Sequence, residues 1–447
     1  MRFFSRAVMP ASLRSLPGFR SYRSLRGPRP GGSSGPLPGG PDRSGGPGSG
    51  GSDGPAGSDR PGRSAGSVRT ALPAALLAGC TAALLLQPVA AAAPAAAAAR
   101  ARTSAGGGSV TTLPLTAGHL LTPRSTPPFE LLGVGWDGPA TSLAGGTVRV
   151  RTRDAATGVW SGWRELEADG EDAPDGVPHG PDGVSRGATA PLWTGLSDGV
   201  AVQVLPGPAG LPAGLRVDLV DPGHGVGSAA ARVLPAEPPG GRRIGHQAPR
   251  PEIVTRAGWG ADESIRERDF VYTGAVRAVF VHHTATATAY ECADAPRVIR
   301  AIYQYHVQGN GWRDIGYNFL VDRCGTVYEG RAGGTDLPVH GAHTLGFNTD
   351  SAGVAAIGTY VSDVPPQPLL DGLAGISAWK LGLTDQDAAG RTRLVSGSSA
   401  SRYPLGTTVT FDAVSGHRDG FNTECPGAAL YPLLPDLRAR AAQLQGR

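Results

Sequence analysis

The sequence is poor in charged residues and especially in lysine. Only 17% of the 447 residues are charged, which excludes a coiled coil or a charged nucleic-acid-binding tail as the main structure. Lys380 is the only lysine among 41 basic residues, and the arginines are scattered along the chain. Proteins that bind nucleic acids usually carry a basic patch or stripe. Because the net charge is only +4 and no such stripe is visible, we expect no nucleic-acid partner.

The first hundred residues differ in composition from the rest of the chain. Residues 1–67 are of low complexity, with runs of glycine, proline, serine and arginine that bury too little apolar surface to offset the entropy of ordering. We expect this region to be disordered or, if translation starts at Val68, untranslated. Residues 68–99 combine a basic flank, an apolar core and an alanine-rich exit, which is typical of a secretory signal peptide.

Two other interpretations of residues 68–99 stay open. The apolar run is long enough for a transmembrane anchor, although three prolines interrupt it. Leu77–Cys80 resembles a bacterial lipobox, in which Cys80 would be acylated, but the sequence after Cys80 stays apolar. We favour a cleaved signal peptide, and we therefore expect a secreted protein without stable membrane insertion.

Residues 108–235 have the pattern of an all-β domain. Short apolar runs alternate with clusters of glycine, proline and aspartate, which is typical of a β-sandwich. Residues 148–153 place valines on one face of a strand and arginines on the other. Three tryptophans could form a platform for sugar stacking, although such aromatic side chains more often belong to a core; they are Trp160, Trp163 and Trp193. The sequence does not indicate what this domain does.

After a linker at residues 236–251, the segment 252–447 predicts an α/β domain, because strand and helix patterns alternate along it. Residues 276–281 predict a buried strand that ends at a histidine pair, and Asp294 is a candidate N-cap for the following helix. Apolar runs on both sides of residues 323–325 predict a hairpin. A further strand and two helices are predicted at residues 352–360, 369–381 and 435–445.

Three side chains of this domain could share one chemical task. His282 ends the predicted strand, and His417 and Cys425 lie eight residues apart. Once the signal peptide is removed three cysteines remain, so in an exported protein two would pair and one would be left for another use such as metal binding. Two imidazoles and a thiolate give Zn²⁺ three ligands and leave a fourth position for water. A structural histidine, or a Cys–His hydrolase with Cys425 as nucleophile, stays an alternative.

Several motifs of the C-terminal half resemble the peptidoglycan recognition proteins, a family of type 2 N-acetylmuramoyl-L-alanine amidases that includes a phage amidase called a lysozyme. The resemblance covers about residues 252–440. It implies a central mixed β-sheet flanked by helices, with zinc at the floor of a peptidoglycan cleft. The motifs are TRAGWGA (255–261), FVHHT (280–284), GWRDIGYNF (311–319), GAH (341–343) and GHRDGFNTECPG (416–427).

The resemblance also implies roles for single residues. The metal ligands correspond to His282, His417 and Cys425. His283 would then point away from the metal by strand alternation. Tyr317 corresponds to the catalytic tyrosine that helps to orient the water on zinc, and Thr423 to a position that carries lysine in the phage enzyme and threonine in recognition proteins. The suggested substrate contacts are His343, Asn348, Trp312 and Arg313. His343 and Asn348 could instead be loop residues that satisfy backbone groups.

The resemblance implies a secreted, cell-wall-associated and monomeric zinc amidase that cleaves the bond between N-acetylmuramic acid and L-alanine in peptidoglycan. The alternative is a non-catalytic peptidoglycan-binding protein, but non-catalytic relatives typically lose the cysteine or the first histidine, and both are present here. A general zinc peptidase is a third interpretation, against which the sequence lacks an H-E-x-x-H motif. With Cys425 assigned to the metal, Cys292 and Cys324 are predicted to form a disulfide; pairing of either with Cys425 would remove a ligand.

Overall fold

A computed structural model of the chain describes residues 100–115, 120–169, 186–226, 232–238, 245–286 and 288–447. The predicted low-complexity region and signal peptide, together with Cys80, lie outside these residues. Among the helices that the structure describes, none combines the length and the apolar character needed to cross a lipid bilayer.

The first half of the described chain is a nine-stranded antiparallel sheet, which we call the β-sheet domain (residues 100–221). Its longest strand, β3 (Leu120–Asp137), pairs with three neighbours along its 18 residues, and its side chains in the apolar core of this domain include Phe129, Leu132, Val134 and Trp136. The strand order is β1-β2-β9-β3-β8-β4-β5, and β7 joins β3 to β6. The strands are β1 Arg100–Thr103, β2 Ser109–Pro114, β3 Leu120–Asp137, β4 Thr147–Asp154, β5 Arg164–Leu166, β6 Ala168–Asp169, β7 Arg186–Thr189, β8 Leu192–Leu205 and β9 Arg216–Asp221.

The predicted half-buried strand and the three tryptophans lie in this domain. Strand β4 buries its valines and leaves Arg149 exposed, as the alternating pattern predicts. Trp193 is buried in an apolar cluster. Trp160 and Trp163 flank Arg151, whose guanidinium carbon lies 5.3 Å and 5.1 Å from the two ring centroids. The tryptophans therefore do not form one common platform.

The second half, which we call the α/β domain (residues 232–447), is built on a seven-stranded mixed sheet with the order β10-β11-β14-β13-β15-β12-β18. Its strands are β10 Val233–Leu234, β11 Ile253–Val254, β12 Ala278–His283, β13 Phe319–Val321, β14 Val327–Glu329, β15 Ser351–Ala356 and β18 Val414–Gly416, with a separate hairpin of β16 Arg391–Val395 and β17 Thr408–Asp412. The helices are α1 Arg256–Trp259, α2 Ala295–Gln304, α3 Gln367–Gly382, α4 His417–Gly420 and α5 Leu434–Leu444, and a π-helical turn, Tyr305–Gly309, follows α2.

Both faces of the mixed sheet are covered. Helices α3 and α5 pack on one face through Leu373, Trp379 and Leu437, and α2 packs on the other through Val298 and Ile302. All six residues of β12 are buried, as are all six of β15. Continuous burial on both faces is typical of parallel strands, and β12 pairs in parallel with both β15 and β18.

Three local predictions differ in part from the structure. Strand β12 begins at Ala278 instead of residue 276, although it ends at the predicted histidine pair, and β15 ends at Ala356 instead of residue 360. Asp294 precedes α2, but its side chain makes no capping hydrogen bond, because a 3-10 turn at Cys292–Asp294 leads directly into the helix. Its carboxylate instead accepts a hydrogen bond from Arg297 at 3.4 Å. The hairpin β16–β17 was not predicted, since its strands are short and mostly exposed.

The only lysine of the sequence is buried in the α/β domain. The Lys380 side chain donates to the carbonyl oxygens of Thr335 and Leu337, both at 2.7 Å. Burial lowers the pKa of Lys380 to about 8. These two hydrogen bonds connect helix α3 to the loop between β14 and the GAH motif.

A disulfide joins Cys292 and Cys324, the pairing expected from the sequence, with a Cα–Cα distance of 6.3 Å. It ties the 3-10 turn before α2 to the turn of the β13–β14 hairpin, where Gly325 takes a φ of +87° that favours glycine. Cys425 is buried and takes no part in this disulfide.

We expect the double variant Cys292→Ser/Cys324→Ser to lose about 3–4 kcal/mol of unfolding free energy, because the crosslink no longer restricts the unfolded chain. The cysteines are 32 positions apart, which sets this magnitude in the chain-entropy model. Denaturant titration of the double variant and of the reduced parental protein should give the same loss. Equal midpoints for the variant and the oxidised parent would contradict it.

Candidate metal centre

Three potential metal ligands meet at the carboxyl ends of parallel strands. His282 lies in β12, His417 is the first residue of α4 directly after β18, and Cys425 lies in the loop that follows α4. The parallel register pairs Val281 with Gly416, so both histidines lie at the same edge of the sheet. One ligand atom from each of the three side chains lies within 4.8 Å of the others, and all three side chains are buried.

The electrostatics of this group suit a metal ion. Burial lowers the pKa of His282 to about 3, so the imidazole is neutral, which is the form that binds metals. Its Nδ1 lies 3.8 Å from Cys425 Sγ. The backbone N–H of His283 donates to the same sulfur at 3.3 Å, which favours a thiolate. Two imidazoles and one thiolate are a donor set that fits zinc, with one tetrahedral position left open.

The two adjacent histidines of β12 point in opposite directions, as strand alternation predicts. The ring of His282 lies 4.4 Å from that of His417, measured between centroids. The Nδ1 of His283 instead accepts a hydrogen bond from the backbone N–H of Tyr360 at 3.2 Å. His283 thus contributes its backbone, and not its imidazole, to the metal group.

His343 lies behind His282 and fixes its tautomer. Ser351 donates its hydroxyl to the carbonyl of Phe347 at 2.5 Å, so its oxygen can accept from His343 Nε2 at 3.4 Å. His343 Nδ1 is then an acceptor for His282 Nε2, 3.2 Å away. This assignment follows from the network, and it makes His282 Nδ1, which lies 3.8 Å from Cys425 Sγ, the ring nitrogen that could bind a metal. Such outer hydrogen bonds orient metal-binding histidines.

Asn348 orders the loop that carries His343. Its Oδ1 accepts the backbone N–H groups of His343 and Thr344 at 2.7 Å and 3.0 Å. Both predicted substrate contacts, His343 and Asn348, are fully buried in the structure. This placement supports the alternative that they satisfy groups of the protein itself, and direct contact with a ligand stays a prediction.

The remaining predicted contacts lie on the loop after the π-helical turn. Trp312 is almost buried, with its ring centroid 4.4 Å from that of His306. Arg313 is partly exposed and pairs with Glu267 at 2.8 Å. Of the two, Arg313 has the more accessible side chain, and substrate binding by either residue stays a prediction.

Tyr317 and Thr423 lie close to the three ligands. The buried ring of Tyr317 lies 5.4 Å from that of His282, measured between centroids. Thr423 Oγ1 accepts the backbone N–H of Cys425 at 2.9 Å, and Arg418 donates its own backbone N–H to the carbonyl of Cys425 at 3.1 Å. The two latter contacts fix the loop that presents the thiol.

The motif pattern missed the supporting contacts of the site. His343 and His282 are 61 residues apart in the sequence, and nothing in the local pattern of either segment indicates that their rings meet. The same holds for Ser351, which looks like an ordinary strand residue. A sequence pattern identifies donor types at a motif, but hydrogen bonds between distant segments depend on the folded sheet.

Two family profiles match the chain. One, described as N-acetylmuramoyl-L-alanine amidase, matches residues 272–428. The other, described as Rv3811 N-terminal galactose-binding domain-like, matches residues 87–232. The two matches confirm the predicted order of a β-rich domain followed by an α/β domain, and the first of these domains has a galactose-binding-like fold.

Individual relatives align with the C-terminal half. The chain is 34% identical to human N-acetylmuramoyl-L-alanine amidase over 187 residues, which are 41% of this chain and 28% of the human protein; it thus spans less than a third of that relative. It is 34% identical to peptidoglycan recognition protein 1 of Bos indicus over 182 residues, covering 41% of this chain and 82% of that protein. The solved structure of Drosophila PGRP-LB is 27% identical, covers 40% of this chain and 90% of its own, and has a TM-score of 0.32.

We expect His343→Ala to weaken metal binding by about 10- to 100-fold, because His282 loses the acceptor that fixes its tautomer. Competition with a chromophoric chelator would measure the affinity. His340→Ala, on the same loop but further from the three ligands, is the matched control and should bind metal like the parent. Equal affinities for the His343 variant and the parent would show that the hydrogen bond does not orient the ligand.

Proposed function

Because the chain belongs to the family of peptidoglycan recognition proteins and N-acetylmuramoyl-L-alanine amidases, we propose that it is a zinc-dependent amidase of peptidoglycan. It would hydrolyse the amide bond between N-acetylmuramic acid and L-alanine. The observation that carries this proposal is the buried group of His282, His417 and Cys425, whose ligand atoms lie within 4.8 Å of one another. A protein that only binds peptidoglycan has no need of a metal site with an open position.

The proposed chemistry divides between the metal and the protein. Bound zinc would activate a water molecule and polarise the carbonyl of the scissile amide. His282 and His417 would bind the ion as neutral imidazoles, and the hydrogen bond from the backbone N–H of His283 to Cys425 Sγ would favour the thiolate. Tyr317, whose ring centroid lies 5.4 Å from that of His282, would donate a hydrogen bond to the oxygen that gains charge during attack.

Thr423 has a different task in this proposal. Its hydroxyl oxygen already accepts the N–H of Cys425, so its proton is free to be donated to a substrate oxygen or nitrogen. Threonine carries no charge, so it cannot act as the cationic acid that lysine could supply. Thr423 would therefore assist the leaving amine by hydrogen bonding while it also orders the thiol loop.

We also propose that the protein acts outside the cell as a monomer in contact with the cell wall. The signal-peptide pattern at residues 68–99 and the disulfide between Cys292 and Cys324 support export, because disulfides persist in oxidising compartments. Peptidoglycan, the proposed substrate, is accessible there.

The protein should hold about one zinc ion per chain, and each of His282→Ala, His417→Ala and Cys425→Ala should lose it, because two remaining ligands cannot compete with a chelator. Elemental analysis after dialysis against a chelator measures the content. The matched control is His283→Ala, whose side chain points away from the group. Stoichiometric zinc in all three ligand variants would refute the site.

Tyr317→Phe should retain zinc and slow hydrolysis of a muropeptide by about a hundredfold or more, the scale of one lost transition-state hydrogen bond. The rate is measured by mass spectrometry of muropeptides, which also identifies the bond that is cut. An unchanged rate would assign Tyr317 a structural role. If the zinc-loaded parent binds muropeptide without releasing a peptide whose N-terminal residue is L-alanine, the protein is a recognition protein and the amidase proposal fails.

A further inference from the structure

The β-sheet domain and the α/β domain share one buried interface. Arg300 of α2 donates to the carbonyls of Pro222 and Gly223, which directly follow β9, at 3.3 Å and 3.1 Å. Arg297 forms an ion pair with the buried Glu130 of β3. One apolar cluster contains residues of both domains, including Val110, Leu131, Trp193 and Val220 from the β-sheet domain and Val298, Ile299 and Ile302 from α2. A large apolar interface opposes independent motion of two domains.

Tyr305, in the π-helical turn after α2, makes a close contact of this interface. Its phenol donates to the carbonyl of Thr189 at 2.9 Å and lies directly against Gly133 of β3. A Cβ placed on Gly133 would lie 2.1 Å from Tyr305 Oη and 2.2 Å from Cζ. Glycine at this position is therefore what admits the tyrosine ring. π-Helical turns are rare and often lie at functional sites.

The residue after Tyr305 contacts the loop of the proposed catalytic tyrosine. His306 is fully buried, and its Nδ1 accepts the backbone N–H of Gly316 at 3.2 Å. Its carbonyl accepts the N–H of Trp312 at 2.9 Å. The His306 ring lies 4.4 Å from that of Trp312 and 5.8 Å from that of Tyr317, measured between centroids. His306 thus holds both ends of the loop that leads to Tyr317.

We propose that the β-sheet domain positions Tyr317 through Tyr305 and His306, and is a working part of the amidase and not a separate binding module. This inference rests on the proposed function. The Tyr305 ring packs against Gly133, so this glycine determines where the ring lies. His306 is the next residue of the same π-helical turn, and its position therefore depends on that of Tyr305. His306 in turn orients the loop between Trp312 and Tyr317. Tyr305 and His306 are positioning residues, since neither touches the metal ligands through a described contact.

The test is Gly133→Ala, a substitution in the β-sheet domain that forces the Tyr305 ring to move. We expect kcat for muropeptide hydrolysis to fall by roughly ten- to hundredfold, the effect of an ångström-scale misplacement, with KM and zinc content unchanged. The matched control is Gly207→Ala, where the new Cβ would lie 2.1 Å from the carbonyl of Ala144, inside the β-sheet domain. It carries a comparable clash without contact to the α/β domain, and should keep the parental kcat.

Hydrogen exchange gives a second readout that does not require catalysis. The amides of Trp312 and Gly316, which donate to His306, should exchange faster in Gly133→Ala than in the parent or in Gly207→Ala. If Gly133→Ala does not fold, Tyr305→Phe replaces it, because that variant removes only the hydroxyl bonded to Thr189.

The outcomes separate the two proposals. If the amides of Trp312 and Gly316 exchange faster in Gly133→Ala, but the parental protein does not hydrolyse muropeptide, the coupling is supported and the amidase proposal is refuted. Parental kcat together with parental exchange in Gly133→Ala and in Tyr305→Phe overturns the coupling and leaves the amidase intact. Equal loss of kcat in Gly133→Ala and Gly207→Ala also overturns it, since a general disturbance of the β-sheet domain would then suffice.

Discussion

The parallel pairing of β12 with β15 and β18 is the constraint on which the candidate metal centre depends. Adjacent residues of a strand face opposite sides of its sheet, so a slip of one residue would exchange His282 and His283. His282 would then lie on the side of Tyr360, and His283 on the side of His417 and Tyr317. Burial of every residue of β12 and β15 opposes such a slip. The apolar core therefore selects which imidazole is available to the metal.

The second requirement of the site is that its polar groups bind one another where water is excluded. His282, His343 and Ser351 form a chain of hydrogen bonds that ends on the carbonyl of Phe347. Asn348 Oδ1 accepts a hydrogen bond from the backbone N–H of His343 at the start of the same loop. A buried polar group without a partner is costly, so a change at any point of this chain would affect the orientation of His282. Ligand geometry is thus a property of the whole loop between the GAH motif and β15.

The sequence predicts the elements of the α/β domain more completely than the contacts of its site. Runs of buried residues and helix patterns identify β12, β15, α3 and α5, because these signals are local. Cys292 and Cys324 could be paired by assigning Cys425 to the metal. The support of His282 by His343, and the contact of Tyr305 with Gly133, join segments that only the folded sheets bring together. The sequence around a glycine in a strand does not indicate that an aromatic ring from another domain packs against it.

The burial of Lys380 determines how fast its side-chain amine reacts with reagents that acylate amines. Its ammonium group is the only one that a side chain of this sequence can offer, and it is enclosed with two carbonyl oxygens of the loop before the GAH motif. Reagents that acylate amines can reach it only when α3 and that loop separate. The rate of acylation at this one nitrogen would therefore follow local opening of the fold. The acylation rate of Lys380 could thus report how often this region opens, without any engineered probe.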